Sequence, residues 1–230
     1  GRTVAAARLI GAIGYLWYAT GAFREGVDWC RELFADAPEL PDEELAAALH
    51  SYSLVLGSWA QPEEGAEMLR RQVEIRRRLG DPARLAAALN NLGNLLTDLG
   101  RPDEAHDLLH EAIAQFRLAG EAATLPLVSL ALAAREVGDA ESSERLCSEA
   151  LDEARRADDA WGRAAAASGL GEALLHLGRT EEGEALIRQS RADFEEIGVA
   201  PGVGYSDLLL GVAALEGGDR QRAARHLLDA

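Results

Sequence analysis

Lysine is absent from the 230 residues; all 23 of the Lys and Arg positions are arginine. That removes a phosphate-loop lysine, a Schiff-base lysine and a lysine general base from the functions open to this chain. Cations are also outnumbered, since 39 Asp and Glu leave a net charge of −16. A surface that acidic repels a phosphate backbone, so this segment is expected to make no direct contact with nucleic acid. Aromatic residues are only 5% of the chain, and β-branched residues are few, which argues against a β-sandwich or barrel. The two cysteines, Cys30 and Cys147, lie 117 positions apart. That is no disulfide framework; they read as buried, reduced thiols of a cytoplasmic protein. The most apolar run, Val4 to Ala22, is broken by Arg8 and diluted by glycines. It has no signal-peptide flanks and does not make a membrane span.

What is present is helix-forming stock: alanine, leucine and arginine, with 48% hydrophobic and 27% charged residues. The length allows one elongated domain or two small ones. An internal repeat decides how it is used. The segment Leu92-Gly93, Leu96, Gly100, Glu104-Ala105 returns as Leu170-Gly171, Leu174, Gly178, Glu182-Gly183, and again as Leu210-Gly211, Gly218, Ala223. Fainter copies place the turn positions at Gly21, Ala60, Gly100, Gly138, Gly178 and Gly218, 38 to 40 residues apart. Six copies follow, at about 3–40, 41–81, 82–120, 121–158, 159–200 and 201–230, within one domain spanning 1–230.

Each copy reads as two helices. Leu85, Leu89, Leu92, Leu96 and Leu99 recur at three and four, forming the apolar stripe of a first helix that Gly100 ends. Pro102, Asp103 and Glu104 suit the first turn of a second helix. Its inward face carries Ala105, Leu109, Ala112 and Ile113, and Gly120 closes it. Small residues, Gly14, Gly93, Gly171 and Gly211, are expected to face Gly26, Ala105, Gly183 and Ala223 across each pair. This pattern resembles the tetratricopeptide repeat, with a longer period. Such long repeats, with runs like Arg76-Arg77-Arg78-Leu79-Gly80-Asp81, resemble the C-terminal arrays of bacterial LuxR-type and SARP-type ATP-binding transcriptional regulators. The resemblance implies an all-α, right-handed superhelix (an α-solenoid) of about six helix–turn–helix repeats. It also implies a cytoplasmic, non-catalytic arm that binds protein or peptide and needs no cofactor. Gly1 in place of an initiator methionine suggests a piece of a longer protein, whose ATPase and DNA-binding parts would lie upstream.

Several motifs have plainer explanations. His106-Asp107-Leu108-Leu109-His110 imitates a metalloprotease helix, but it lacks the glutamate base and a third ligand, so solvated histidines are expected and no metal. Gly202-Val203-Gly204-Tyr205-Ser206-Asp207 lacks the strand a phosphate loop requires and reads as the connection between the last two copies. Pro41-Asp42-Glu43-Glu44 and Thr180-Glu181-Glu182 read as helix starts, with Thr180 the N-cap. Arg70, Arg71, Arg76, Arg77 and Arg78 read as a solvated face, with docking toward an acidic partner as the alternative.

A binding site, if present, belongs on the concave surface lined by first helices. The candidates there are Asn90, Asn94, Thr97 and Asp98 in the third copy, preceded by His50 and by Tyr15 and Tyr18. Arg135, then Glu172 and His176, follow in later copies. Asparagines at successive turns offer both donor and acceptor to a peptide backbone. The first helix is apolar around much of its circumference (Leu9, Ile13, Leu16), and the last carries Leu227 and Leu228. These faces favour self-association into homo-oligomers as a competing role, and a substrate-holding part of an enzyme is a third.

Overall fold

The computed structural model describes residues 1–36, 40–58 and 61–229; Ala60, the expected turn of the second copy, lies outside them. The fold is all-α, with no strand among the described residues. The helices are α1 (Arg2–Thr20), α2 (Phe23–Asp36), α3 (Asp42–Ser58), α4 (Pro62–Leu79), α5 (Pro82–Asp98) and α6 (Pro102–Leu118). They continue as α7 (Thr124–Glu136), α8 (Ala140–Arg156), α9 (Ala160–His176), α10 (Thr180–Glu196), α11 (Ala200–Glu216) and α12 (Arg220–Asp229). They gather into two compact units, Gly1–Ala119 and Gly120–Ala230. None of these helices is long and apolar enough to cross a membrane.

Local chemistry sets the helix boundaries. Gly100 adopts φ 71° and donates its N–H to the Thr97 carbonyl at 2.9 Å, while the Arg101 N–H reaches Leu96 O at 2.8 Å. Only a residue without Cβ enters that left-handed turn cheaply. The turn after α8 is built differently, with Asp158 at φ 53° in the place glycine holds elsewhere. Helix starts rely on aspartate. Asp81, Asp139, Asp159 and Asp219 each accept the backbone N–H three residues on, at 2.9 to 3.1 Å. Thr180 is not a cap. Gly178 reverses the chain and leaves a single residue before the helix, so Arg179 takes the cap position and Thr180 is already helical. Arg179 instead grips Glu182 through two bonds of 2.9 and 2.7 Å, as Arg101 grips Glu104.

In the first unit the core gathers Trp17, Val27, Cys30, Tyr52, Val55 and Leu56. Here Gly14 packs against Ser51 of α3, and Gly26 against the Trp17 ring, so these two glycines do not face each other. In the second unit Ile187, Leu209 and Leu210 form a core with Leu175. There the expected pairing does occur: a Cβ on Gly183 would stand 2.6 Å from the Gly171 carbonyl oxygen. Pro201 to Asp207 form the first turns of α11 and no connection. Proline fits the first helical turn. Gly202 lies where a Cβ would come within 2.5 Å of the Phe194 ring, so it serves close packing.

Candidate functional site

Three successive first helices of the first unit, with Leu69 of α4, enclose a cavity of about 310 Å³. Its apolar floor is Leu54, Leu69 and Leu95, and its polar groups are Tyr18, His50, Asn91, Asn94 and Asp98. His50 Nδ1 lies 3.5 Å from Asn91 Nδ2. Burial first, and the Arg76 charge second, hold the His50 pKa below the usual imidazole value, so the ring is neutral at pH 7. Two amides, a neutral imidazole and the Asp98 carboxylate above an apolar floor suit a hydrogen-bonding ligand segment that is neutral or basic.

Four sequence candidates, Tyr18, His50, Asn94 and Asp98, therefore share one cavity. Two do not face it. Asn90 is only 6% exposed, with its Oδ1 unpaired, and Thr97 is buried and donates to the Gly93 carbonyl at 3.0 Å. The residue next to Asn90, Asn91, lines the cavity in its place, because one step along a helix turns the side chain by about 100°. Tyr15 is 70% exposed, its ring 5.9 Å from that of Tyr18, and it does not line the cavity.

Arg135 and Glu172 belong to the second unit and are bonded to each other at 2.8 Å, with the Tyr205 hydroxyl donating to Glu172 at 2.9 Å. Arg135 thus has its charge met within the protein. His176 lines a separate hollow with Glu172, Leu175 and Leu209. Tyr205 escaped sequence reasoning because it was grouped with a supposed connection.

The arginine stripe of α4 is a solvated face except at Arg76, and several of its charges are met by acids from other helices. Arg76 is buried and bonded to Glu43 at 2.7 Å, Arg77 grips Glu111 at 2.6 Å, and Arg78 reaches Asp42 at 2.9 Å. Arg84 joins the same Glu43. His106 and His110 are exposed with ring centroids 4.4 Å apart, and among the described residues they join no group of three metal-ligating side chains.

The family model described as tetratricopeptide repeat matches residues 44–117, which span α3 to α6 almost completely. Solved structures extend the tetratricopeptide likeness over most of the chain. The apo form of RapI shares 14% identity at TM-score 0.77, over 98% of this chain and 81% of its own. A Rap protein complexed with Competence and Sporulation Factor shares 15% identity at TM-score 0.71, over 88% of this chain and 58% of its own. Tetratricopeptide-like repeats of a putative kinesin light chain from Podosopora anserina share 20% identity at TM-score 0.65, over 84% of this chain and 97% of theirs. Among curated proteins, none matches the sequence.

Proposed function

We propose that this chain is a non-catalytic scaffold that binds an extended peptide or protein segment in the cavity of its first unit. The observation that carries the reading is the convergence of Tyr18, His50, Asn91, Asn94 and Asp98, from three successive first helices, on one apolar-floored cavity. An extended backbone presents alternating donors and acceptors, which amides at consecutive turns match, while an apolar side chain settles on Leu54, Leu69 and Leu95. The net charge of −16 favours a basic segment over an acidic one. The tetratricopeptide match and the Rap protein complexed with Competence and Sporulation Factor among the similar structures support this role. In a longer protein the scaffold would serve as the sensor or interaction arm of a bacterial, cytoplasmic transcriptional regulator.

Selection of a random peptide library against the whole chain, followed by calorimetry, tests this. Peptides selected by the wild type should bind Asn91→Ala/Asn94→Ala about ten-fold or more weaker, since each lost hydrogen bond leaves a ligand group unpaired. The double variant should melt at the wild-type temperature. Equal affinity for wild type and double variant would sink the reading. Self-association is a second reading, favoured by Leu9, Leu16 and Leu228, the last 86% exposed. Light scattering across concentrations checks it independently of the peptide selection.

A further inference from the structure

The second unit holds a cavity of its own, about 250 Å³, between α7, α8, α9, α10 and α11. Its walls are Val128, Ala131, Leu132, Ala165 and Phe194. The buried Cys147 lies deeper; burial pushes its thiol pKa up to about 12, so at pH 7 it is a neutral, apolar surface. Gly169 leaves room beside it, since a Cβ there would stand 2.8 Å from the Cys147 sulfur.

Two features make this more than a packing gap. The Ser168 hydroxyl lines it, 3% exposed and without a hydrogen-bond partner. A helical serine ordinarily turns its hydroxyl back to the carbonyl four residues earlier. Here that carbonyl, on Ala164, already accepts the Ser190 hydroxyl at 2.7 Å. Ser168 is therefore an orphan, beside a second buried hydroxyl, Ser143, on the same lining, a costly arrangement that a ligand relieves. The second feature is the charged edge. Arg135, Glu172 and Tyr205 also line the cavity, but they satisfy one another at 2.8 and 2.9 Å. A charged ligand finds no uncompensated partner there and would lose its hydration on entering.

We propose that this cavity is a site for a small neutral molecule, mostly apolar and ideally aromatic, with one hydroxyl for Ser168. Scaling from the 150 Å³ cavity that takes benzene, it holds about ten non-hydrogen atoms. The site is independent of the peptide reading, because none of its residues lines the first unit's cavity.

The probes are 4-ethylphenol and its hydroxyl-free counterpart ethylbenzene, titrated into the full chain and followed by calorimetry and by methyl NMR. Wild type should bind 4-ethylphenol saturably, with shifts centred on the methyls of Val128, Leu132 and Ala165. Ser168→Ala should weaken 4-ethylphenol about five-fold and leave ethylbenzene unchanged, the loss of one hydrogen bond. Ala165→Leu, which fills the cavity, should abolish both, with circular dichroism confirming the fold. The methyl shifts in wild type decide the matter even where that variant fails to fold. No saturable binding up to the solubility limit overturns the proposal, as do shifts centred on Leu54 and Leu95, or equal 4-ethylphenol affinity for wild type and Ser168→Ala.

Discussion

The two compact units repeat one helix-pair plan but spend their polar residues in opposite places. In Gly1–Ala119 the ion pairs staple neighbouring helices, as Arg77 to Glu111 and Arg78 to Asp42 do, both half-exposed. The inward groups, Asn91, Asn94 and a neutral His50, line an open cavity. In Gly120–Ala230 carboxylates go inside, whereas among the described residues of the first unit only the Arg76 charge is buried. Asp207 is 1% exposed and takes Arg191 Nε at 2.8 Å and His226 Nδ1 at 3.0 Å, while Glu184 holds both Arg188 and Arg222. The comparison teaches that the repeat fixes where helices stand but leaves each unit free to hold its polar groups for a ligand or commit them to itself.

The most disruptive way to test that contrast is to remove an inner anchor. Asp207→Ala should destabilise the chain by about 2–3 kcal/mol, because it strands Arg191 and His226 beside a buried gap. Glu111→Ala in the first unit should cost about 0.5 kcal/mol, as solvated pairs do. Urea unfolding measures both; similar costs would erase the distinction. Hydrogen exchange should place the Asp207→Ala loss within residues 120–229.

Backbone packing offers the next test. Gly183→Ala forces a Cβ toward the Gly171 carbonyl, with 2.6 Å available, and should cost about 1–3 kcal/mol. Gly57→Ala in the first unit meets only a Leu95 methyl at 3.7 Å and should stabilise by about 0.5–1 kcal/mol through helix propensity. Thermal melts of the pair should move in opposite directions. A comparable gain is expected from Asp158→Gly, about 0.5–1 kcal/mol, since glycine enters the left-handed turn without the Cβ penalty. An unchanged melting temperature would mean the Asp158 turn carries no strain.

The smallest effect concerns pH. His50 has a lowered pKa in the fold, so on acidification the unfolded chain takes up its proton first. Its contribution is complete above the ordinary histidine range and drains away as pH falls through that range toward the depressed value. His50→Gln should flatten the loss of urea midpoint between about pH 7 and 5. A slope identical to wild type would show that His50 carries none of it.

The all-α fold was legible because its signals are local. Turn glycines at a steady spacing and leucines at three and four are read within one helix. The candidate site was legible only in part, because its signals lie between helices. A first helix is flanked on both sides, so polarity does not mark its open face: Asn90 and Thr97 are polar and buried. The arginine stripe looked free because its partners are far along the chain. Arg78 and Asp42 are 36 residues apart, Arg135 and Glu172 37, and Arg179 and Glu144 35. An acid about one repeat away from an arginine was the available clue. Asp158 was hidden for another reason, since a single aspartate in a glycine's place leaves no periodic mark.

The turn-and-cap pairs Gly80-Asp81, Gly138-Asp139 and Gly218-Asp219 have a consequence for how such a chain changes over generations. One residue stops a helix and the next starts another, so both instructions travel together in two adjacent codons. A recombination event joining two such pairs adds or deletes helices without inventing a boundary. The ends of the inserted piece already carry the stop and start they need. Length is then the cheapest property for this architecture to alter, and the cavities, which draw on residues a repeat apart, are what an altered length would remake.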